Sequence, residues 1–411
     1  MTAAVRPSRG PGALFWVVAC AALFACVYIA LDFNALYALR TNQNTGLYLQ
    51  SIVNFLHTGS TFDQPDGKPH LAVHDQWFVL LLAPAVALWP RPETMMVAQV
   101  LALALSAIPL YLFARACGAT GTTGLLIAAA WLVSTSAQGF AYGGFAPEHF
   151  IPLLAFSLAL AARRRSLLGT IVCAQLLLGI KEDEAWFLAW LGAVSIVFYD
   201  RRLGAVTLGL AVLNGTAYYA LEHAYGFAPE RPQYGLVDRE WRQQLAFLVE
   251  ILVPYAFAPL LLRGRILIAL PFLAELFLTQ DRAYAIYRAG YYYTEPLVCL
   301  VTIGAAVALA PRPRLARWAI GLALLMALFF NTTVLHLGRR PFSVDPQYAA
   351  ARAWAQTTAP VDFPCEDEGA WTVASANLNA RLVGCGLPAT RERPAWHDVP
   401  LGSDAAWTKG P

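Results

Sequence analysis

The stretch GALFWVVACAALFACVYIAL, residues 12–31, decides the fold class of this chain. It carries no charged side chain over the length that an α-helix needs to cross a hydrocarbon core of roughly 30 Å. Arg6 and Arg9 precede it, and no clear small-x-small cleavage pattern follows it. A secretory signal peptide has a shorter apolar region and ends at such a pattern. The segment is therefore predicted to remain as a first membrane span.

The whole chain has the composition of a membrane protein. Of its 411 residues, 58% are hydrophobic and 13% are charged, whereas a soluble domain carries about a quarter charged residues. Long apolar runs alternate with short loops that contain arginine, which indicates many helices that cross a bilayer. The net charge of +3 comes from those loops. It therefore gives no indication of a nucleic-acid partner, and the lipid bilayer is the expected partner.

Arginine-bearing loops set the predicted orientation, because cytoplasmic loops are enriched in Lys and Arg. Four loops carry this mark, at 163–165, 201–202, 263–265 and 312–317. They predict a cytoplasmic N-terminus and an extracytoplasmic C-terminal tail. Besides the first, the predicted spans are 94–114, 121–139, 149–162, 166–180, 185–199, 203–221, 244–262, 266–280, 291–310 and 317–336.

The run WFVLLLAPAVALWP, residues 77–90, interrupts this alternation. It is short for a span and contains two prolines, so we interpret it as a half-inserted segment. The total is then about eleven spans, and twelve is the alternative, with one later pair misjudged.

The predicted architecture is an all-α polytopic transmembrane bundle at 1–336, with an outer loop at 34–75, followed by a tail at 337–411. The tail loses the membrane composition. One helical pattern and two strand-like stretches predict a small extracytoplasmic α/β appendage there. Cys365 and Cys385 lie in this tail. They are either a disulfide or two free thiols, and both interpretations stay open.

Polar residues that could carry chemistry are concentrated in five segments of the predicted outer face. The segments are the outer loop (34–75) with Asn44, Gln50, Asn54, Asp63, Asp66, His70, His74 and Asp75, GGFAPEHF (143–150) with Glu148, KEDE (181–184), RAYAIYRAGYYYTEP (282–296) with Arg288 and Tyr292, and EHAYGFAPERPQYGLVDREWR (222–242). Each has an ordinary alternative interpretation. In the same order, these are a solvated loop, an acidic first helical turn, an interfacial cap, an aromatic belt and a solvated connection.

One stretch of the outer loop has a helical pattern. TGLYLQSIVNFL, residues 45–56, is apolar at helical spacing and is predicted to form a helix along the membrane surface.

Lys181 is the most informative of these residues. The chain has three lysines among its 29 basic residues, and Lys181 is the one beside a predicted span. Four consecutive charges at a membrane boundary are costly unless they are paired or hydrated. Lysine offers a compact ammonium that arginine does not reproduce. The KEDE segment therefore favours a functional role over an interfacial cap.

Several common chemistries are excluded by motif. The chain has no Walker A loop, dinucleotide fingerprint, HExxH motif or CxxC pairing. A primary pump with its own nucleotide-hydrolysis domain is therefore not expected. Glu250 and Glu275 lie inside predicted spans, where a carboxylate is a functional candidate by default. The alternative is a protonated carboxyl that bonds across helices.

The polar segments resemble the pattern of a bacterial membrane protein family, domain of unknown function 2079. The matching pieces, in chain order, are QNTGLYLQ (43–50), His74, FAPE (145–148), KED (181–183) and GYYYTEP (290–296). That family in turn resembles the C-type membrane glycosyltransferases, which take a sugar from a polyprenyl phosphate at the extracytoplasmic face. The resemblance implies this fold and this activity in a bacterial cytoplasmic membrane.

Two positions depart from the family pattern. Asn44 stands where the family carries an acidic residue, and Ala146 stands where it carries histidine. Asparagine cannot act as a general base, and alanine has no polar group. Asp75, beside His74, is the carboxylate that could replace the lost acid.

The sequence thus predicts a membrane glycosyltransferase-like protein that uses a polyprenyl-phosphate-linked sugar. Its predicted catalytic residues are His74, Asp75 and Glu148. Its predicted substrate-binding residues are Lys181, Glu182, Asp183, Arg288, Tyr292, Gln50 and Asn44. No cofactor is assigned outright, and a Mg or Mn ion at Glu148, Glu182 and Asp183 with His74 is left open.

Two other classes of function remain as alternatives. The first is a transporter or a non-catalytic lipid- or sugar-binding protein, with Glu250 and Glu275 along its path. A transporter often carries inverted repeats, and the sequence has no clear internal repeat. The second is a structural subunit, which the departures at Asn44 and Ala146 favour. Sugar, acceptor and oligomeric state are not indicated.

Overall fold

The computed structural model describes residues 11–37, 44–63, 68–225, 241–278 and 290–329. These residues are almost entirely helical. The α-helices are α1 Pro11–Tyr37, α2 Asn44–Thr58, α3 Ala83–Leu88, α4 Pro92–Ala116, α5 Gly121–Val133, α6 Thr135–Phe140, α7 Ile151–Arg163, α8 Leu167–Leu178, α9 Glu184–Phe198, α10 Arg201–Tyr225, α11 Trp241–Leu252, α12 Leu270–Leu278, α13 Glu295–Leu309 and α14 Pro313–Phe329. Two short antiparallel strands, β1 Phe62–Asp63 and β2 Lys68–Pro69, pair Phe62 with Pro69.

Four helical segments are long and apolar enough to cross a membrane. They are Gly12–Leu36, Pro92–Ala116, Arg201–Ala224 and Tyr292–Leu309. Shorter apolar helices include α5, α8 and α9. The predicted class, a helical protein with several membrane spans, is confirmed at this level. The finer count of about eleven spans stays a prediction.

Helix α4 lies at the centre of the packing and contacts α1, α5 and α7. Its core partners are large and fully buried. Trp131 of α5 stacks edge-on against Phe156 of α7, with ring centroids 5.2 Å apart. The Trp131 indole N–H donates to Ser106 Oγ of α4 at 2.7 Å, which satisfies the one polar atom of that ring. Helices α9 and α10 pack together as a hairpin beside this core.

The predicted outer loop is not a largely solvated segment, and its helix does not lie on the surface of the bundle. Helix α2 occupies much of this loop, and its residues Thr45–Asn54 are all buried. The helical spacing of TGLYLQSIVNFL predicted the helix correctly. The expected exposure of Gln50, Asn54 and His70 is wrong, because α2 packs into the bundle and all three side chains are buried.

The predicted single span at 244–262 is also wrong. Helix α11 ends at Leu252, and 3₁₀ turns follow at Val253–Tyr255 and Ala258–Ala269. Pro254 and Pro259 each remove a backbone donor, which breaks an α-helix. Ala256 and Phe257, between them, have positive φ angles of 52° and 54°.

Other boundaries move for local reasons. The predicted span 121–139 splits at Ser134, whose hydroxyl caps α6 by accepting from the Ala137 N–H at 3.2 Å. Residues 77–90 form a 3₁₀ helix at Trp77–Leu82 followed by α3. Twelve residues rise roughly 18 Å as α-helix, too little for a full crossing. The half-insertion itself stays a prediction.

The appendage at 337–411, with Cys365 and Cys385, lies outside the described residues, as does Arg288. The appendage, the disulfide alternative and the role of Arg288 therefore stay predictions.

Candidate functional site

Glu182 joins two segments that are far apart in the chain. Its Oε1 lies 2.9 Å from His74 Nδ1, and its Oε2 accepts from the Asp75 backbone N–H at 3.2 Å. Close by, the Phe78 N–H donates to the Gly179 carbonyl at 2.9 Å. Three hydrogen bonds thus connect residues 70–78, the His74 segment, to the turn between α8 and α9. Both carboxylate oxygens of Glu182 face donors.

Helix α2 fixes the other side of the His74 segment. Gln76 Oε1 accepts from the Tyr48 hydroxyl at 2.9 Å and from His70 Nε2 at 2.7 Å. The His70 and His74 rings lie 5.7 Å apart. Tyr48 also contacts Phe145 edge-on at 5.4 Å. One residue of α2 therefore ties the His74 segment to the segment that carries Glu148.

Lys181 lies between a carboxylate and an aromatic face. Its Nζ is 3.0 Å from Asp183 Oδ2 and 4.2 Å from the centroid of the Tyr293 ring. Burial alone would lower the pKa of Lys181, but interactions with Asp183, the Tyr293 phenol and the carboxylates of Glu148 and Glu182 raise it well above its usual value. The ammonium is therefore held charged in a buried position. Tyr293 comes from the 3₁₀ turn Tyr292–Thr294, just before α13.

Glu148 is buried in the 3₁₀ turn Pro147–Phe150 that precedes α7. Burial raises its pKa, and the charges of Lys181, His149 and His74 partly offset that rise. Glu148 therefore lies within electrostatic range of both Lys181 and His74. For Glu182, burial opposes the shift, but the hydrogen bond and electrostatic interaction with His74, and the charge of Lys181, bring the pKa below its ordinary value.

The predicted residues that meet here are His74, Asp75, Glu148, Lys181, Glu182 and Asp183. Tyr292 joins them through a tilted ring contact with Tyr293, with centroids 4.5 Å apart. The polar cluster inferred from the sequence is thus assembled from four separate segments of the chain. Asn44 begins α2, and Gln50 is buried within it. Their predicted contact with substrate stays a prediction.

A second buried network, which the sequence analysis did not select, holds the segment before Glu148. Asp32 Oδ1 of α1 accepts from the Gly143 N–H at 3.1 Å. Gln99 of α4 donates to the Gly144 carbonyl at 3.0 Å and accepts from the Ala146 N–H at 3.1 Å. Thr45 Oγ1 of α2 accepts from the Phe145 N–H at 2.8 Å. Helices α1, α2 and α4 thereby fix the backbone of residues 143–146.

This segment needs glycine. Gly143 and Gly144 have φ angles of +109° and +115°, which other residues adopt only at a cost. Asp32 has a signal that could have revealed it, because it is a carboxylate directly after the apolar stretch 12–31 and within the apolar helix Gly12–Leu36. Gln99 has no comparable signal in the sequence.

Glu295 is a further buried polar residue of the site that the sequence patterns did not identify. It begins α13, is fully buried, and its Oε1 shares a hydrogen bond with His149 Nδ1. Its second oxygen, Oε2, has no hydrogen-bond partner among the residues that the structure describes. The YYYTEP motif contained it, and a carboxylate at the start of a span is a candidate by default.

The cluster does not fit the open alternative of a Mg or Mn ion. Within the described part of the chain, no group of three or more His, Cys, Asp or Glu side chains is arranged to hold a metal. His74 Nδ1 already bonds Glu182, and Asp183 already pairs with Lys181. We therefore derive no chemical step through a metal ion.

The apolar helices and the buried polar cluster at their ends define a helical membrane protein with several spans. Residues 35–222 match the family model described as "Predicted membrane protein (DUF2079)". The family resemblance is confirmed over this range, which contains His74, Glu148 and the KED triplet. The Tyr-rich segment lies beyond it. The chain has no significant match among curated proteins or among solved structures.

Proposed function

We propose that the protein is a membrane glycosyltransferase-like enzyme that takes a sugar from a polyprenyl phosphate at the extracytoplasmic face of the bacterial cytoplasmic membrane. The observation that carries the proposal is the meeting of His74, Glu182 and Lys181, with Lys181 against Tyr293. A hydrogen-bonded base beside a buried cation is the equipment that such a transfer requires. The cluster also lies at the ends of apolar helices, and the headgroup region of a bilayer, where the phosphate of a lipid-linked sugar sits, is at the ends of spanning helices.

Each side chain has a distinct proposed role. Lys181 and Arg288 offset the negative charge on the departing lipid phosphate. Tyr292 and Tyr293 offer flat faces on which a sugar ring stacks. Glu182, Asp183, Asn44 and Gln50 supply hydrogen-bonding groups around the site. The acceptor hydroxyl gives its proton to a group among His74, Asp75 and Glu148.

The test is release of lipid phosphate from a labelled donor. Purified protein in lipid nanodiscs is incubated with a panel of radiolabelled polyprenyl-phosphate sugars and candidate acceptors, and free polyprenyl phosphate is separated and counted. We expect turnover with at least one donor. Loss of the Lys181 charge in Lys181→Met should reduce it by roughly 10²-fold, the scale of one charge-stabilising group.

The matched control is Arg165→Met. Arg165 lies at the opposite end of α8, and 80% of its side chain is exposed. It should retain wild-type turnover. Absence of turnover across the panel, with correct folding shown by a sharp unfolding transition, contradicts the proposal.

One observation favours transport or non-catalytic binding as the second candidate. Glu184 and Glu295 are buried carboxylates at the starts of two apolar helices, the kind of group that also marks ion and substrate paths through membranes. Glu250 and Glu275 extend that possibility. Labelled donor that binds or enters proteoliposomes without release of lipid phosphate would support this candidate.

A further inference from the structure

We infer that His74 is the proton acceptor of the site, that its Nε2 is the reacting atom, and that Glu182 is the positioning residue that makes Nε2 available. This inference rests on the proposed transfer to a hydroxyl acceptor. It replaces the set of three candidate bases with one residue and one atom, and it gives Glu182 a role other than substrate binding.

The hydrogen bonds of Glu182 define the tautomer of His74. The Asp75 backbone N–H can only donate, so Glu182 Oε2 accepts, at 3.2 Å. An ionised carboxylate accepts at both oxygens. The contact of 2.9 Å between Glu182 Oε1 and His74 Nδ1 is therefore an Nδ1–H donating to Oε1. A neutral imidazole with its proton on Nδ1 has a bare lone pair on Nε2.

Accessibility selects His74 over the two carboxylates. The His74 side chain is 26% exposed, and its Nε2 forms no hydrogen bond or ion pair within the described part of the chain. Glu148 is only 5% exposed, so an acceptor hydroxyl cannot reach it without a rearrangement. The Asp75 carboxyl is partly exposed, but no hydrogen bond orients it among the described residues.

The charged and titratable groups around His74 come from several segments. Glu182 bonds its Nδ1, Asp75 follows it in the chain, and the His70 ring lies 5.7 Å away. Glu148 also lies within electrostatic range of His74. The nearby ammonium of Lys181 is paired with Asp183 at 3.0 Å. Carboxylates near His74 favour the imidazolium that forms when it takes a proton.

The proposed transfer moves one proton to His74 and one electron pair to the lipid phosphate. The acceptor O–H bond breaks and its proton moves to His74 Nε2, which becomes an imidazolium. The hydroxyl oxygen forms a bond to the anomeric carbon of the donor. The bond from that carbon to the phosphate oxygen breaks, and its electron pair leaves with the lipid phosphate. The added negative charge on the phosphate is matched by the positive charge on His74.

The first test reads the tautomer and needs no activity. Solid-state NMR of the protein with ¹⁵N-labelled histidine, in lipid bilayers near neutral pH, distinguishes protonated from bare ring nitrogens, and His74→Ala assigns the signal. We expect the Nδ1–H form with a bare Nε2 in wild type. Glu182→Gln, which keeps an acceptor oxygen, should retain that form. Glu182→Ala should lose the preference.

An internal reference exists in α10. His223 Nδ1 lies 2.9 Å from the Tyr219 carbonyl oxygen, so it should have the same tautomer in every variant. A His74 signal with the proton on Nε2 in wild type would overturn the inference.

The second test uses turnover. His74→Ala should lose roughly 10²- to 10⁴-fold, the usual contribution of a general base, and added imidazole should restore part of it. Glu182→Ala should lose activity in kcat rather than in KM, and Glu182→Gln should lose less. His223→Ala should be unchanged.

The outcomes separate the two proposals. Wild-type turnover that persists at full rate in His74→Ala overturns the inference and leaves the proposed function intact. No wild-type turnover with any donor overturns the proposed function. The NMR result then still decides whether Glu182 sets the tautomer of His74.

Discussion

Glu182 shows how one side chain fixes the geometry of this site. It uses one oxygen for the His74 ring and the other for the Asp75 backbone, so it sets both the position of the segment and the orientation of the imidazole. His74 and Glu182 are separated by 108 positions in the chain. Sequence motifs identified each of them as candidates, but no local pattern states that they touch.

Asp75 yields a prediction about pH. Asp75→Asn should raise the apparent Tm in detergent at pH 8 and leave it nearly unchanged at pH 4. Burial, and then the charge of Glu182, raise the pKa of Asp75 from 3.8 to about 6. The native state therefore binds this proton more tightly than the unfolded state. Its stabilising effect is complete below pH 3.8 and is lost as the pH rises through about 6.

The size of that effect follows from the shift. Two pKa units correspond to about 3 kcal/mol at most, and partial exposure of Asp75 reduces this to about 1–2 kcal/mol. Thermal unfolding of both proteins at pH 4, 6 and 8 checks it. An equal Tm difference at every pH would show that Asp75 does not titrate in this window.

At the scale of elements, the close approach of α6 to the segment before α13 positions the Tyr-rich turn. A Cβ on Gly139 of α6 would lie 2.5 Å from the Gly290 Cα. Gly139→Ala should therefore destabilise the protein by about 1–3 kcal/mol, the cost of overpacking. It should also weaken the contact of Tyr293 with Lys181, because Gly290 leads directly into that turn.

Gly209→Ala in α10 is the matched control, because a Cβ there meets nothing within 4 Å. It should leave the apparent Tm unchanged or slightly higher, since alanine favours helix. Thermal unfolding in detergent compares the two variants. A Gly139→Ala protein as stable as the Gly209→Ala protein would contradict the close packing of α6.

Helix patterns predicted α2, α4 and α8 to α10 well, since their apolar residues recur at helical or continuous spacing. The broken region after α11 could also have been foreseen, because Pro254 and Pro259 are visible in the sequence. The burial of α2 could not be predicted from the sequence. Whether an amphipathic helix lies on the membrane or inside the bundle depends on packing with distant helices.

At the scale of the molecule, the outer surface matches the membrane interpretation. Leu88, Trp186 and Phe198 are 89%, 80% and 81% exposed, which would be costly in water but not in lipid. Inside, the buried and half-buried polar side chains of the Glu182 and Gln99 networks are hydrogen-bonded to each other and to the backbone. Apolar exposure with polar burial is the arrangement that a bilayer solvent favours.

The sequence predicted several side chains of the candidate site, but not the hydrogen-bonded residues that hold them in place. His74, Glu148 and the KED triplet each stood out because charges beside apolar runs are costly. The Asp32 and Gln99 network depends on how α1 and α4 approach residues 143–146, which no local pattern encodes. Glu295 lies in the YYYTEP motif, but its contact with His149 depends on the fold, because the two residues are 146 positions apart in the chain.

The central claim is that the His74 segment and the KED turn meet in one site. It is tested most directly by cysteine cross-linking in bilayers. His74→Cys and Glu182→Cys are combined in a chain whose seven native cysteines are replaced, then treated with a short bifunctional methanethiosulfonate. We expect an efficient intramolecular cross-link, identified by mass spectrometry. The control pair, Arg165→Cys with Glu182→Cys at opposite ends of α8, should not react. A His74–Glu182 pair that cross-links no more than this control, although both thiols accept a monofunctional reagent, would contradict the account.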